Sequence, residues 1–407
     1  MARITIDYTP AVHQGAGIGR LTRELIQALL RQRADHKFSL FVMGKPPADV
    51  PLSNIMHTAH LPLRVGPYTD RWLYRLWFKA NVPLPVQLWS GAADLYHATD
   101  FVLPPLRHGL PSVLTVHDLS FERDPASAPP RLIPFLKKVV PASAQRASHI
   151  VADSHATARD LIELYGISPD KITVIHSGVS ARFAPYGGTM YEERRRAFVL
   201  KKHKIGDAPF VLTVGTLQPR KNHLRLVQAF AKLVKGGVAS GERYLSTLHA
   251  PSSTLVISGG KGWLYDDVLA EVKRLGIEER VKFIGFVDDA ELPHVYRAAR
   301  AFAFPSIYEG FGLPLLEAMA SGVPVVSSNT SSLPEVVGPS TSSGQAAGLM
   351  VDPLDVDALA AALDTALHDD AWREQAIAQG LARASEFTWP RAAEQLLGVY
   401  ETVLRGR

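Results

Sequence analysis

The chain has 407 residues, of which 46% are hydrophobic, 20% charged and 8% aromatic, with a net charge of +5. That balance excludes disorder as the dominant state, and the length predicts about two to four domains at roughly 100–200 residues each. With no cysteine, disulfide frameworks, thiolate metal sites and cysteine nucleophiles are excluded as well.

The charge is uneven: residues 1–190 carry 20 Lys/Arg against 14 Asp/Glu, and residues 191–407 carry 24 against 25. A basic first half predicts attraction to anions, either phosphorylated substrates or an anionic membrane surface. Nucleic acid is disfavoured, because the basic residues are scattered and no zinc-finger, aromatic RNA-binding or basic-zipper pattern occurs. No stretch approaches the roughly 18 apolar residues of a spanning helix. Asp7 stands where a signal peptide needs its apolar run. The expected location is the cytoplasm, including its membrane face.

In chain order, strands are expected at 3–8, 38–43, 95–97, 113–116, 149–152 and 172–175. They resume at 210–214, 255–258, 281–284, 301–304 and 323–327. Amphipathic helical segments lie between them, at 21–30, 156–164, 224–234, 266–275 and 315–320. Alternation of this kind predicts parallel sheets and an α/β fold. The break between two halves is placed in 184–204, a polar stretch with Pro185, Gly187, Gly188 and three consecutive arginines. The expected domains are therefore 1–187 and 188–386, followed by a last helix in 387–407. The segment 67–89 mixes Tyr68, Trp72, Trp77 and Phe78 with Arg71, Arg75 and Lys79 at near-helical spacing. It fits a helix packed inside the first domain or one lying on a membrane. Segments 236–251 and 339–347 read as loops.

The strand at 301–304 leads into Glu309-Gly310-Phe311-Gly312-Leu313 and then a helix containing Glu317. A glycine-rich loop at a strand's carboxyl end, against a helix start, suits a phosphate. Two carboxylates there suit the hydroxyls of an anion that carries sugars. Similarly, Gly215-Thr216-Leu217-Gln218-Pro219-Arg220-Lys221-Asn222 joins a strand to a helix. Cations at a helix start oppose its dipole, by roughly 0.3–1 kcal/mol each, which a bound diphosphate would explain. Gly15-Ala16-Gly17-Ile18-Gly19-Arg20 departs from the dinucleotide fingerprint, since its third glycine comes one position early. It fits a loop that brings amides and Arg20 to an anion. His97, His117 and His176 each close a strand and are either structural donors or site residues. Asp355-Val356-Asp357 has an acid-any-acid pattern but runs into an alanine-rich helix, where acids cap the first turn, so no metal site is expected.

Together these segments resemble the retaining glycosyltransferases of family four, which have the GT-B fold of two facing Rossmann-like domains. Glu309–Glu317 matches the family's acid-seven-residues-acid motif. The blocks at Gly17–Arg20, Val116–Asp118, Ile175–Val179 and Gly215–Asn222 match others in order. The resemblance implies a nucleotide diphosphate sugar as co-substrate, no cofactor and no metal. It implies that Arg220 and Lys221 hold the diphosphate, helped by amides of Gly310, Phe311, Gly312 and Leu313. Glu317 would bind the ribose, Glu309 the transferred hexose, and Phe286 and Val287 would face the base. His117 would touch the hexose, and Gly17 and Gly19 would complete the donor site. The first domain would take the acceptor (a glycan, a lipid-linked glycan or a small molecule), and the last helix would return to it. The likeness extends to bacterial mannosyltransferases using GDP-mannose. UDP-sugars remain open, as do an epimerase, a phosphorylase or a non-catalytic sugar-binding member of the same fold.

Overall fold

The computed structural model describes residues 1–15, 17–32, 35–46, 61–67, 75–80, 82–125, 129–236, 253–262, 265–338 and 346–406. It divides into two compact units, Met1–Gly178 with Phe387–Arg407, and Val179–Glu386.

The first unit is built on a seven-stranded parallel sheet of order β3-β2-β1-β4-β5-β6-β7. The strands are β1 (Arg3–Asp7), β2 (Lys37–Val42), β3 (Leu63–Val65), β4 (Leu95–Ala98), β5 (Ser112–Val116), β6 (His149–Ala152) and β7 (Ile172–Val174). The central strands β4 and β5 are buried along their whole length, as expected where helices cover both faces of a parallel sheet. Helix His155–Tyr165 starts at Ser154, whose hydroxyl accepts from the Thr157 amide, and stops at Gly166 in the left-handed conformation. Helix Trp389–Arg405 packs on helix Gly17–Arg31 and buries Tyr400 in this unit.

The second unit has a six-stranded parallel sheet of order β10-β9-β8-β11-β12-β13. These are β8 (Phe210–Val214), β9 (Thr254–Ser258), β10 (Val281–Gly285), β11 (Ala301–Phe304), β12 (Val325–Ser328) and β13 (Gly348–Val351). The chain reverses its winding between β8 and β11, so a crevice opens there at the strands' carboxyl ends.

Two expectations need correction, and two strands were not foreseen. The chain passes between units at Gly178–Val179, ahead of residue 187. The stretch taken for a linker is helix Met190–Lys202, started by a capping box of Thr189 and Glu192 and held by buried Val199 and Leu200. Edge strands β3 and β13 escaped sequence patterning because both are short, β3 mostly exposed and β13 half-buried. Residues 68–74 and 81 of the aromatic segment lie outside the described residues, as do 237–251 and 339–345 of the two expected loops. Of its described part, Trp77, Val86 and Gln87 pack inward, while Arg75, Lys79, Leu84 and Leu88 are exposed. Trp77 is buried, its indole donates to the Leu84 carbonyl at 2.9 Å, and its ring meets Phe78 and Trp89 edge-on.

Candidate functional site

In the second unit, the loops after β8 and β11 meet at the crevice. The β8 loop makes a single turn, Pro219–Lys221, and helix His223–Val234 follows at Asn222. Asn222 takes a left-handed backbone (φ 59°), and its buried side-chain amide donates to the carbonyls of Pro305 and Pro353 at 3.0 and 2.6 Å. One side chain thus ties the loops following β8, β11 and β13. The Ile307 amide donates to the Arg220 carbonyl at 2.8 Å, joining the first two again. Close backbone approach matters beneath them: a Cβ on Gly259 would lie 2.0 Å from the Gly215 carbonyl oxygen.

This framework brings Arg220 and Lys221 onto Glu309. Lys221 Nζ donates to Oε1 at 2.5 Å, and Arg220 Nη1 donates to Oε2 and to the Tyr308 carbonyl, each at 3.1 Å. Lys221 also lies over the Phe304 ring, 4.7 Å from its centre. Burial pushes the Glu309 carboxyl up, but Lys221 and Arg220 outweigh burial and hold it below the ordinary carboxylate range. His223, also buried here, is pushed down to about 4 by burial and by Lys221.

The Gly310-Phe311-Gly312 loop is pinned by Ser332, whose hydroxyl faces the carbonyls of Glu309 and Phe311 at 2.9 Å each. Ser331 Oγ accepts from the Glu309 amide at 3.0 Å. Gly312 begins helix Leu313–Ala320 with φ 117°, and a Cβ there would lie 2.8 Å from a Leu333 methyl. Glu317 is buried one turn further on, where the Tyr296 hydroxyl donates to its Oε2 at 3.0 Å. At the end of β10, Phe286 is exposed and Val287 buried.

The first unit carries a second cluster, at the carboxyl ends of β1, β4, β5 and β6. His117 is buried, with Nδ1 2.7 Å from Asp153 Oδ2 and Nε2 2.9 Å from the Thr99 carbonyl. Both partners are acceptors, so both ring nitrogens carry protons. Burial pushes the imidazole down, but Asp153 and Asp100 outweigh it and raise it to about 9. His117 is therefore protonated at neutral pH. Asp100, pushed up by burial, accepts from Gln14 Nε2 at 2.9 Å. Gln14 sits below the turn to Gly17 and Gly19, and a Cβ on Gly19 would overlap its carbonyl oxygen at 1.8 Å.

Not every candidate belongs to these clusters. His97 lies between the Tyr400 hydroxyl (2.6 Å) and Thr115 (2.8 Å), and burial lowers it to about 3, a neutral core histidine. His176 packs against the rings of His155 and Phe387. Asp355 accepts from the amides of Asp357 and Ala358 and caps helix Val356–His368. Sequence reasoning missed Asp153, Asp100, Asn222 as a tie, Tyr296 and the Ser331–Ser332 pair. Asp153 had a usable signal, since it follows β6 directly, as His117 follows β5.

Comparison with known proteins matches residues 15–183 to the glycosyltransferase family 4 model and residues 195–383 to glycosyl transferases group 1. The chain is 37% identical over 309 residues to the O-antigen chain mannosyltransferase B of Escherichia coli, covering 75% of this chain and 74% of that one. The fold matches sucrose-phosphate synthase from Thermosynechococcus elongatus with a TM-score of 0.71 at 21% identity, covering all of both chains. It also matches Anabaena HepE in complex with UDP-glucose, with a TM-score of 0.69 at 20% identity, over 99% of this chain and 100% of that one. Both units have the doubly wound sheets of GT-B enzymes, and the chain belongs to the group 1 glycosyltransferases, with a family 4 domain at its amino-terminal end.

Proposed function

We propose that the chain transfers mannose from GDP-mannose to an acceptor hydroxyl with retention of anomeric configuration, in cell-surface polysaccharide or lipid-linked glycan synthesis. The observation that carries this reading is the convergence of Arg220 and Lys221 on Glu309 at the reversal point of the second sheet. Two cations there replace a metal in stabilising a leaving diphosphate. Transfer breaks the bond from the sugar's anomeric carbon to the phosphate oxygen and forms one to the acceptor oxygen, whose proton leaves toward the diphosphate. Glu309, as nucleophile or as electrostatic stabiliser, must be ionised for this, which its lowered titration point supports.

In this reading the second unit binds the donor. The amides of Gly310–Leu313 assist on the diphosphate, Glu317 takes the ribose, and Phe286 with Val287 faces the base. The first unit binds the acceptor, and His117, Gly17 and Gly19 contribute to the hexose side. The named mannosyltransferase relative supports the sugar. A UDP-sugar is the second reading, favoured by the neighbour solved with UDP-glucose. Peripheral contact with an anionic bilayer completes the proposal.

The test is a panel of nucleotide sugars scored by thermal stabilisation and then by transfer to sugar or lipid-linked acceptors. GDP-mannose should stabilise most and be the productive donor. Stabilisation by UDP-sugars alone would replace the donor, and no stabilisation by any nucleotide sugar would overturn the reading.

A further inference from the structure

Helix Met190–Lys202 is anchored on one side only, by buried Val199 and Leu200. At 3.6 residues per turn, Met190, Lys201, Arg194, Phe198, Tyr191, Lys202 and Arg195 fall within about 140° of the opposite circumference. Met190, Tyr191 and Phe198 are 67%, 75% and 54% exposed, an unusual concentration of large apolar side chains on one soluble helix face. The acids Glu192 and Glu193 fall outside that arc. Glu192 is engaged in the capping box with Thr189. Arg195 lies over the Phe198 ring at 5.6 Å, and Lys202 pairs with Glu291 at 2.8 Å, leaving Arg194 and Lys201 exposed along the stripe.

We infer that this face is a docking surface for an anionic lipid bilayer. It rests on the membrane contact in the reading above, and it names the element that makes that contact. Charge complementarity selects the occupant: pairs of cations flank the aromatic side chains, no acid of the helix falls within the arc, and Glu291 pairs only with Lys202 among these cations. Such a face suits a helix lying at the headgroup boundary, its rings inserted and its cations over phosphates. A protein partner fits less well, because interface centres are depleted of lysine and charge.

The experiment is co-sedimentation of the full chain with vesicles of phosphatidylcholine, with or without one-third phosphatidylserine, at low and high salt. Wild type should partition onto the anionic vesicles only, and less at high salt. Changing Arg194→Gln with Lys201→Gln should lower partitioning by about tenfold or more, since each cation near the surface contributes about 1 kcal/mol. Tyr191→Ser with Phe198→Ser should lower it similarly, while Leu354→Ser, at an exposed site elsewhere in the unit, should leave it unchanged. Melting curves check that all variants are folded. Wild-type partitioning that both double variants retain would overturn this inference but not membrane contact as such. No partitioning by wild type, or a change in oligomeric state in place of lipid binding, would overturn both. Transfer to a water-soluble acceptor, measured in parallel, tests the donor chemistry independently.

Discussion

Glu309→Gln separates a catalytic carboxylate from a structural one. The substitution keeps side-chain shape and removes one charge. The backbone should hold, because Ser331 and Ser332 grip the residue's amide and carbonyl independently of its side chain. The lost carboxylate is the common partner of Lys221 at 2.5 Å and Arg220 at 3.1 Å. Two partly buried cations then share a neutral amide oxygen, at a cost of about 1–3 kcal/mol, which lowers the melting temperature by about 2–4 °C per kcal/mol. The same change frees both cations for an incoming diphosphate, so nucleotide diphosphate affinity should stay equal or rise. The transition state, however, loses a preorganised negative charge, and kcat should fall by roughly 100- to 1000-fold. Calorimetric titration with nucleotide diphosphate, alongside product chromatography for transfer, reads the two effects separately. Transfer at the wild-type rate would refute the catalytic role. Loss of nucleotide binding together with transfer would reduce Glu309 to a support for the β8 loop.

Replacing Arg220 and Lys221 with Ala together should weaken nucleotide diphosphate binding by at least about 100-fold, at two charge-assisted bonds of about 1.5–3 kcal/mol each; unchanged affinity by calorimetry would move the site elsewhere. Transfer should survive EDTA, and complete loss restored by magnesium would show that the two cations do not suffice. His117 titrates at about 9 in the folded chain against about 6.5 unfolded, so its contribution to stability is complete below pH 6.5 and is lost as pH rises through 9. The melting temperature should therefore decline across that window, and His117→Gln should flatten the decline; an unchanged slope would place the proton elsewhere.

What the sequence made legible follows burial. Strands covered on both faces, such as β8 and β11, appear as apolar runs, and glycines and prolines mark the loops that end them. Helix Met190–Lys202 was hidden because its anchor is only Val199 and Leu200, while its remaining circumference is charged or solvent-facing. Its capping box was nonetheless written in Thr189 and Glu192. Within the site, motifs confined to one loop were visible and their partners across loops were not. Glu309 was conspicuous, whereas the Tyr296 hydroxyl on Glu317 and the Ser332 clamp depend on chain reversals that no local pattern encodes.

His97 and His117 make the limit concrete. His97 is the penultimate residue of β4 and His117 directly follows the neighbouring strand β5, each buried, each with both ring nitrogens bonded. One is lowered to about 3 and the other raised to about 9. The difference lies in what they meet: His97 faces two hydroxyls, which satisfy a neutral ring, while His117 faces a carboxylate and a carbonyl, which accept from a charged one. Those deciding partners, Tyr400 and Asp153, lie 303 and 36 residues away along the chain. A histidine's residue type and place near a strand end therefore admit both outcomes, and only the tertiary fold selects a core neutral at one and a cation at neutral pH at the other.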